Sequence, residues 1–384
     1  MSTDTQGSLR SWTHETPQSR RRYRVFSEFQ PRYEELSGGF SAQQLQRNYP
    51  SDGHGGHDFI PLLDSFDLLI REHPDVLEQD LALAIQHNQA AAEDPAQCRA
   101  ALESQYEDQL LALAPGLGAH LGHLFREAIL DGDLPKTVQL LSKFRPHGRV
   151  AHQGASCNPA KARWAKWSVR PFLRAPEHIH QFDVDGGNAY SGHDGSFPSG
   201  HTSEAYWQGV TLATLLPELA AGILARTADL GHYRVLMGVH YPLDVIGGRM
   251  MGSYIAANRW SDPLFRELLL ESREELCSVL ESAVGAELVT SIEQDKPYLP
   301  LRAARDHYRQ YLSYGFGQLG PAGVPLEVPE FAPNLLITAY PQLNAEERAQ
   351  VLRDTALDSG YPLDKQGPDG GWQRIDLLAA MTEH

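Results

Sequence analysis

Gly195-Ser196-Phe197-Pro198-Ser199-Gly200-His201, continuing as Thr202-Ser203-Glu204-Ala205-Tyr206-Trp207, is the stretch on which the reading of this chain turns. Small, turn-forming residues give way abruptly to residues that suit a helix. Ser199 is placed to cap that helix, because a serine hydroxyl accepts from an unpaired first-turn amide. Gly200 allows close approach of the backbone to a ligand. The free amides and dipole of a helix start favour an anion there, and His201 stands where it could exchange a proton with a group attached to that anion. Taken alone, such a stretch is more often an ordinary capped helix start, so its meaning depends on what the rest of the chain supplies.

The chain has 384 residues, 41% of them hydrophobic, which is enough for a large core with extensions. Its formal net charge of -16 argues against a nucleic-acid partner, whose phosphates would be repelled. A small phosphorylated partner responds to local charge instead and stays open. Cys98, Cys157 and Cys277 are too dispersed for a disulfide framework or a zinc site. The start of the chain lacks the apolar run of a leader peptide. The longest apolar candidate for a membrane span, 210–225, is interrupted by Pro217 and Glu218. The expectation is a soluble, cytoplasmic protein without a membrane span, with a homodimer open.

Apolar residues recur at helical spacing from Ile60 to about Phe144, punctuated at Asp94-Pro95 and Pro115-Gly116. The sequence predicts one short helix over 161–170, then an irregular stretch to 198. Helices are expected over 201–216, 218–232 and 242–260, an amphipathic one beyond Asp262, and others over 301–314 and 344–357. Convincing strands are absent, so the fold class is all-α. The pattern divides the chain into a polar arm (1–58), a helical core (59–260) and a C-terminal helical extension with a docked tail (261–384).

Two further clusters bear on the opening stretch. In Arg163-Trp164-Ala165-Lys166-Trp167-Ser168-Val169-Arg170-Pro171, a continuous helix would align Arg163, Lys166 or Trp167, and Arg170 on one face. Such a cationic stripe suits phosphate oxygens, although a solvated basic face reads the same way. In Arg234-Val235-Leu236-Met237-Gly238-Val239-His240-Tyr241-Pro242-Leu243-Asp244, the carboxylate follows His240 by four. A carboxylate holding one imidazole nitrogen fixes the tautomer and makes the other nitrogen a competent nucleophile.

Together the clusters resemble the type 2 phosphatidic acid phosphatase and vanadium haloperoxidase superfamily, with its Lys-x6-Arg-Pro, Pro-Ser-Gly-His and Ser-Arg-x5-His-x3-Asp motifs. The second motif is intact at Pro198–His201, and the third is intact from Arg234 through His240 to Asp244. Gly-Ser-Phe-Pro-Ser-Gly-His-Thr is especially similar to the soluble bacterial class A acid phosphatases. The resemblance covers about residues 130–257. Two positions depart from the pattern: Arg163 stands at the lysine position, with Lys161 and Lys166 nearby, and Tyr233 replaces the motif's serine.

The resemblance implies a helical bundle of the acid phosphatase/haloperoxidase type and a metal-free phosphatase without a cofactor. In it His240 would attack phosphorus, Asp244 would orient His240, and His201 would protonate the leaving oxygen. Arg163 or Lys166, Arg170, Arg234, Ser199 and the Gly200 amide would hold the phosphate oxygens. The expected substrate is a soluble phosphate monoester. The alternatives are a haloperoxidase holding vanadate in the same pocket, a diphosphatase or phosphotransferase, and a phosphate-binding protein with a degenerate site. His54, His57 and Asp58 weakly suggest a metal, and His178, His180, Tyr190, His193 and Asp194 lie near enough in sequence to line a substrate pocket.

Overall fold

The computed structural model describes residues 38–54, 58–142, 149–150, 156–183, 187–192 and 195–383. His57, His193, Asp194 and most of the N-terminal arm lie outside them. No strand occurs among the described residues, and the all-α expectation holds.

Eighteen α-helices follow one another in these residues. Before the opening stretch come α1 (Ala42–Gln46), α2 (Phe59–Leu63), α3 (Ser65–Glu72), α4 (Pro74–Ala92), α5 (Pro95–Tyr106), α6 (Gln109–Ala112), α7 (Ala119–Asp131), α8 (Pro135–Leu141), α9 (Asn158–Trp164) and α10 (Pro171–Arg174). The centre is built from α11 (Gly200–Leu215), α12 (Ala220–Leu236) and α13 (Pro242–Ser261). The chain ends with α14 (Pro263–Val284), α15 (Leu288–Gln294), α16 (Leu301–Ser313), α17 (Ala345–Thr355) and α18 (Leu377–Thr382).

Two of the central helices lack a polar face for a physical reason. Nearly every residue of α11 beyond Glu204, and of α13 from Pro242 to Trp260, is buried, so these helices are surrounded by protein on all sides. Their closest approach depends on Gly248. A Cβ there would lie 2.6 Å from the Ser199 carbonyl oxygen and 2.8 Å from Thr202 Cβ. The start of α11 is thereby seated against the first turns of α13. Among the described residues no single helix is long and apolar enough to cross a membrane, and the one pair that passes by length and composition, α11 with 217–236, is bent by 116°.

The flanking segments are more closely bound to this centre than their composition suggests. Within the arm, Phe40 and Tyr49 are buried. Asp52 accepts from Arg149 and Arg259, each at 2.8 Å, so residues 38–54 are packed rather than extended. The C-terminal tail carries α18, a helix that the polar reading of this region did not anticipate. Arg249 of α13, fully buried, donates to the carbonyls of Gln373 at 2.8 Å and Trp372 at 3.4 Å. The Trp372 ring meets Tyr254 edge-on. One apolar cluster therefore runs from Phe40 to Met381.

A buried histidine lies at the junction of α12 with α4 and α16. His232 stacks on Tyr311, meets His87 edge-on, and lies 3.3 Å from the Tyr314 hydroxyl. Burial first, then His87 and His307, push it well below the ordinary imidazole range. It stays neutral in the folded protein but takes a proton once unfolded below about pH 6.5, so stability is lost as pH falls through that range. His232→Phe, which keeps the stack on Tyr311, is expected to reduce that loss by about 1.4 kcal/mol per pH unit between about pH 6 and 5. Denaturant unfolding across pH measures it, and equal slopes for native and variant protein would show that His232 is not the source.

Candidate active site

Local sequence fixes the placement of each site residue. The Ser199 hydroxyl caps α11, accepting from the Thr202 amide at 3.2 Å and the Thr202 hydroxyl at 2.9 Å. Its own proton is what it retains to donate. Where a side chain at Gly200 would go lies Cys157 Sγ, 3.0 Å from the ideal Cβ position. At the end of α12, Gly238 takes the left-handed conformation (φ 66°) that favours glycine. The chain then turns so that the His240 amide bonds back to the Arg234 carbonyl. Pro242 opens α13, and Asp244 occupies its first turn.

The His240 ring is held from both sides. Nδ1 lies 3.0 Å from Asp244 Oδ2, and Nε2 lies 3.3 Å from Arg170 Nη1. Asp244 also accepts from the Tyr241 amide at 2.9 Å and the Ser196 hydroxyl at 3.3 Å. A carboxylate receiving three donors is favoured in its ionised form, against the burial that pushes it up to about 7. It therefore takes the Nδ1 proton as a hydrogen bond and leaves the Nε2 lone pair facing a guanidinium. Burial, then Arg170, Lys161, Arg234 and His201, hold His240 well below the ordinary imidazole range. Nε2 stays unprotonated over a wide span of pH.

Around Nε2 the charge is positive and mostly enclosed. Arg170 and Arg234 are buried, and Arg170 Nη1 also donates to the Val239 carbonyl at 3.0 Å. Burial and the neighbouring Arg170 lower Arg234 to about 10. Its Nε is buried with no hydrogen-bond partner among the described residues. Two buried guanidiniums side by side are costly unless an anion joins them. His201, half-buried at the start of α11, is close enough for its charge to act on His240.

Arg163 and Lys166 are not brought to this place. The predicted continuous helix over 161–170 ends at Trp164, passes through a turn, and is extended by Arg170 (φ -56°, ψ 145°). The one-face alignment is therefore absent. Arg163 pairs with Asp67 and lies over the Trp164 ring, 44% exposed, and Lys166 lies over the Trp167 ring. Lys161 is the cation that reaches the site. Its Nζ donates to the Gly195 carbonyl at 2.9 Å, and its charge acts on both His240 and Asp244. The turn after α9 inserts two residues into the expected six-residue spacing, which the motif alone could not reveal.

Ser196 and Asp80 are further members that the sequence did not disclose. Asp80, buried in α4, accepts from the Leu243 amide at 3.1 Å, and burial with neighbouring Asp244 pushes its carboxyl well up. Tyr233, at the motif's serine position, turns its hydroxyl to Arg226 at 3.0 Å. The irregular stretch after α10 is pinned where its amide and hydroxyl groups find partners. Asn88 exchanges bonds with the His180 backbone, and the Tyr190 hydroxyl donates to the Met237 carbonyl at 2.8 Å. His178 and His180 are exposed. No group of three or more metal-binding side chains occurs among the described residues.

With that geometry in place, residues 149–266 match the sequence profile of the PAP2 superfamily. These residues are a PAP2 superfamily domain. The chain is 35% identical over 137 residues to an acid phosphatase of Zymomonas mobilis subsp. mobilis, covering 35% of this chain and 50% of the relative. A non-specific acid phosphatase of Salmonella typhi is 37% identical over 83 residues, 22% of this chain and 33% of the relative. A lipid A 1-phosphatase of Rhizobium johnstonii is 35% identical over 83 residues, 21% of this chain and 34% of the relative. The chain thus spans half or less of the length of these relatives.

The PAP2 domain's substituted lysine position gives a direct test. Lys161→Met is expected to weaken binding of inorganic phosphate about 10-fold or more, as loss of a half-buried charge-assisted contact would. Arg163→Met is expected to stay within about 2-fold of the native protein. Isothermal titration of the two variants decides it, and the reverse order would return the role to Arg163.

Proposed function

We propose that the chain is a metal-independent phosphatase that hydrolyses a phosphate monoester through a phosphohistidine on His240. The observation that carries the reading is the placement of His240 Nε2, with Asp244 behind the ring and Arg170 in front of the lone pair. The Nε2 lone pair forms a bond to phosphorus as the bond to the leaving oxygen breaks. His201 gives its proton to that oxygen. In the second half His201 takes a proton from water, whose oxygen attacks phosphorus, and the P–N bond breaks to release phosphate and restore His240.

Lys161, Arg170 and Arg234, with Ser199 and the first-turn amides of α11, face the spread negative charge of the transferring group. Such positioned charges supply most of the catalysis in phosphoryl transfer. The acid phosphatase and lipid A 1-phosphatase relatives support the reaction class. Trp167, Val169 and Leu173 flank Arg170 in the chain and expose 57%, 46% and 41% of their surface, which favours an ester whose leaving group carries apolar surface. Vanadate, a phosphate mimic, would be held by the same cations.

His240→Ala is expected to lower turnover of p-nitrophenyl phosphate by about 10⁴-fold or more in the presence of EDTA, with the melting profile of a folded protein. Retained turnover would remove His240 as nucleophile. Loss of native activity in EDTA would remove the metal-independent reading, and vanadate-supported halide oxidation without phosphate release would replace hydrolysis. In the same assay, kcat/KM across monoesters of graded apolar size is expected to rise with size. A flat response would take these side chains out of recognition.

A further inference from the structure

A second polar cavity, away from the phosphate site, lies where α5, α7 and α12 meet the segment before α16. It measures about 750 Å³, within the range of small-molecule sites. Its apolar floor comes from Leu111, Ala112, Ala114 and Pro115. Its charged lining includes Glu103, Glu107, Arg126, Arg226 and Lys296. Arg226 precedes Arg234 by eight residues on α12, about 12 Å along the helix axis, so the two guanidiniums serve different places.

Arg226 is held in an unusual way. Its Nε donates to the Ala112 carbonyl at 2.8 Å and its Nη1 to the Tyr233 hydroxyl at 3.0 Å. The Tyr233 and Tyr298 rings lie 5.5 Å and 5.9 Å from its guanidinium carbon. These groups orient the cation, and the rings favour it, yet none of them carries a negative charge. Arg226 makes no ion pair with a described carboxylate. Glu107 of the lining is taken by Arg126 at 2.6 Å, and Asp229 is occupied by the Tyr298 hydroxyl at 2.6 Å and His307 at 2.7 Å. Lys296, exposed at the cavity's edge, adds a second cation, and Glu103 is left as the opposing charge. Glu107 and Asp229 act on Arg226 from beyond ion-pair distance, and a guanidinium fixed at a cavity wall, with those carboxylates committed to other donors, gains a direct partner when an anion enters the cavity.

We propose that this cavity binds a small organic anion, its acidic head against Arg226 and Lys296 and its apolar body on the floor of Leu111, Ala112, Ala114 and Pro115. The site is independent of the reaction at His240. The aromatic sulfonate 8-anilinonaphthalene-1-sulfonate is a suitable probe, with N-phenyl-1-naphthylamine as its neutral counterpart. Fluorescence titration of the full chain is expected to show saturable binding of one sulfonate per chain. Ala119→Trp, at an exposed lining position, fills the cavity and is expected to weaken binding about 10-fold or more. Its circular dichroism, melting temperature and p-nitrophenyl phosphate turnover should be unchanged. Lys296→Glu should weaken the sulfonate several-fold and leave the neutral probe unaffected. Binding that is not saturable, or that survives Ala119→Trp, would overturn the site. A neutral probe that binds as tightly as the sulfonate would overturn its preference for anions.

Discussion

The Ser199 amide donates to the Asp244 carbonyl at 2.9 Å, and the site depends on that link between two helix starts. Ser199 caps α11, Asp244 stands in the first turn of α13, and Gly248 lets the two approach closely enough for the bond to form. The same residue, Asp244, uses its side chain on His240, Tyr241 and Ser196. One short contact therefore sets the distance between His201 at the head of α11 and His240 before α13. The wholly buried flanks of both helices keep that distance rigid, as close packing in an interior requires.

Burial then gives the site its chemistry. Arg170, Arg234 and His240 have been taken out of water together; Arg170 makes the charged form of Arg234 less favourable, and both arginines do so for His240. For His240 the result is a bare Nε2, and for the arginines it is a standing attraction for an anion. The costs are met by the surrounding fold: a backbone carbonyl for Arg170, a carboxylate for the His240 ring, and Asp80 behind the start of α13.

Much of this was legible in the sequence because it is local. Ser199 as a cap, the four-residue step from His240 to Asp244, and the helices that follow Pro242 and Pro263 all follow from short-range rules. Arg163 was misplaced for a reason of the same kind: the residues from Lys161 to Arg170 satisfy a helical spacing that the chain abandons at Trp164. The turn there is held by contacts with distant residues, including the bond from the Ser196 amide to the Ser168 carbonyl at 2.7 Å. Asp80 lies 163 residues from the amide it accepts, and the turn before α18 is held by a guanidinium on α13. Pairings of that range leave no periodic trace in the sequence.

The central claim is that His240 Nε2 becomes bonded to phosphorus. Rapid mixing with a phosphate monoester, an alkaline quench that preserves phosphohistidine, and mass spectrometry with ³¹P NMR of the denatured chain test it most directly. The account predicts phosphate on Nε2 of His240, formed and consumed at rates compatible with turnover. Phosphate on His201, on Nδ1 of His240, or on no residue while turnover proceeds would contradict it.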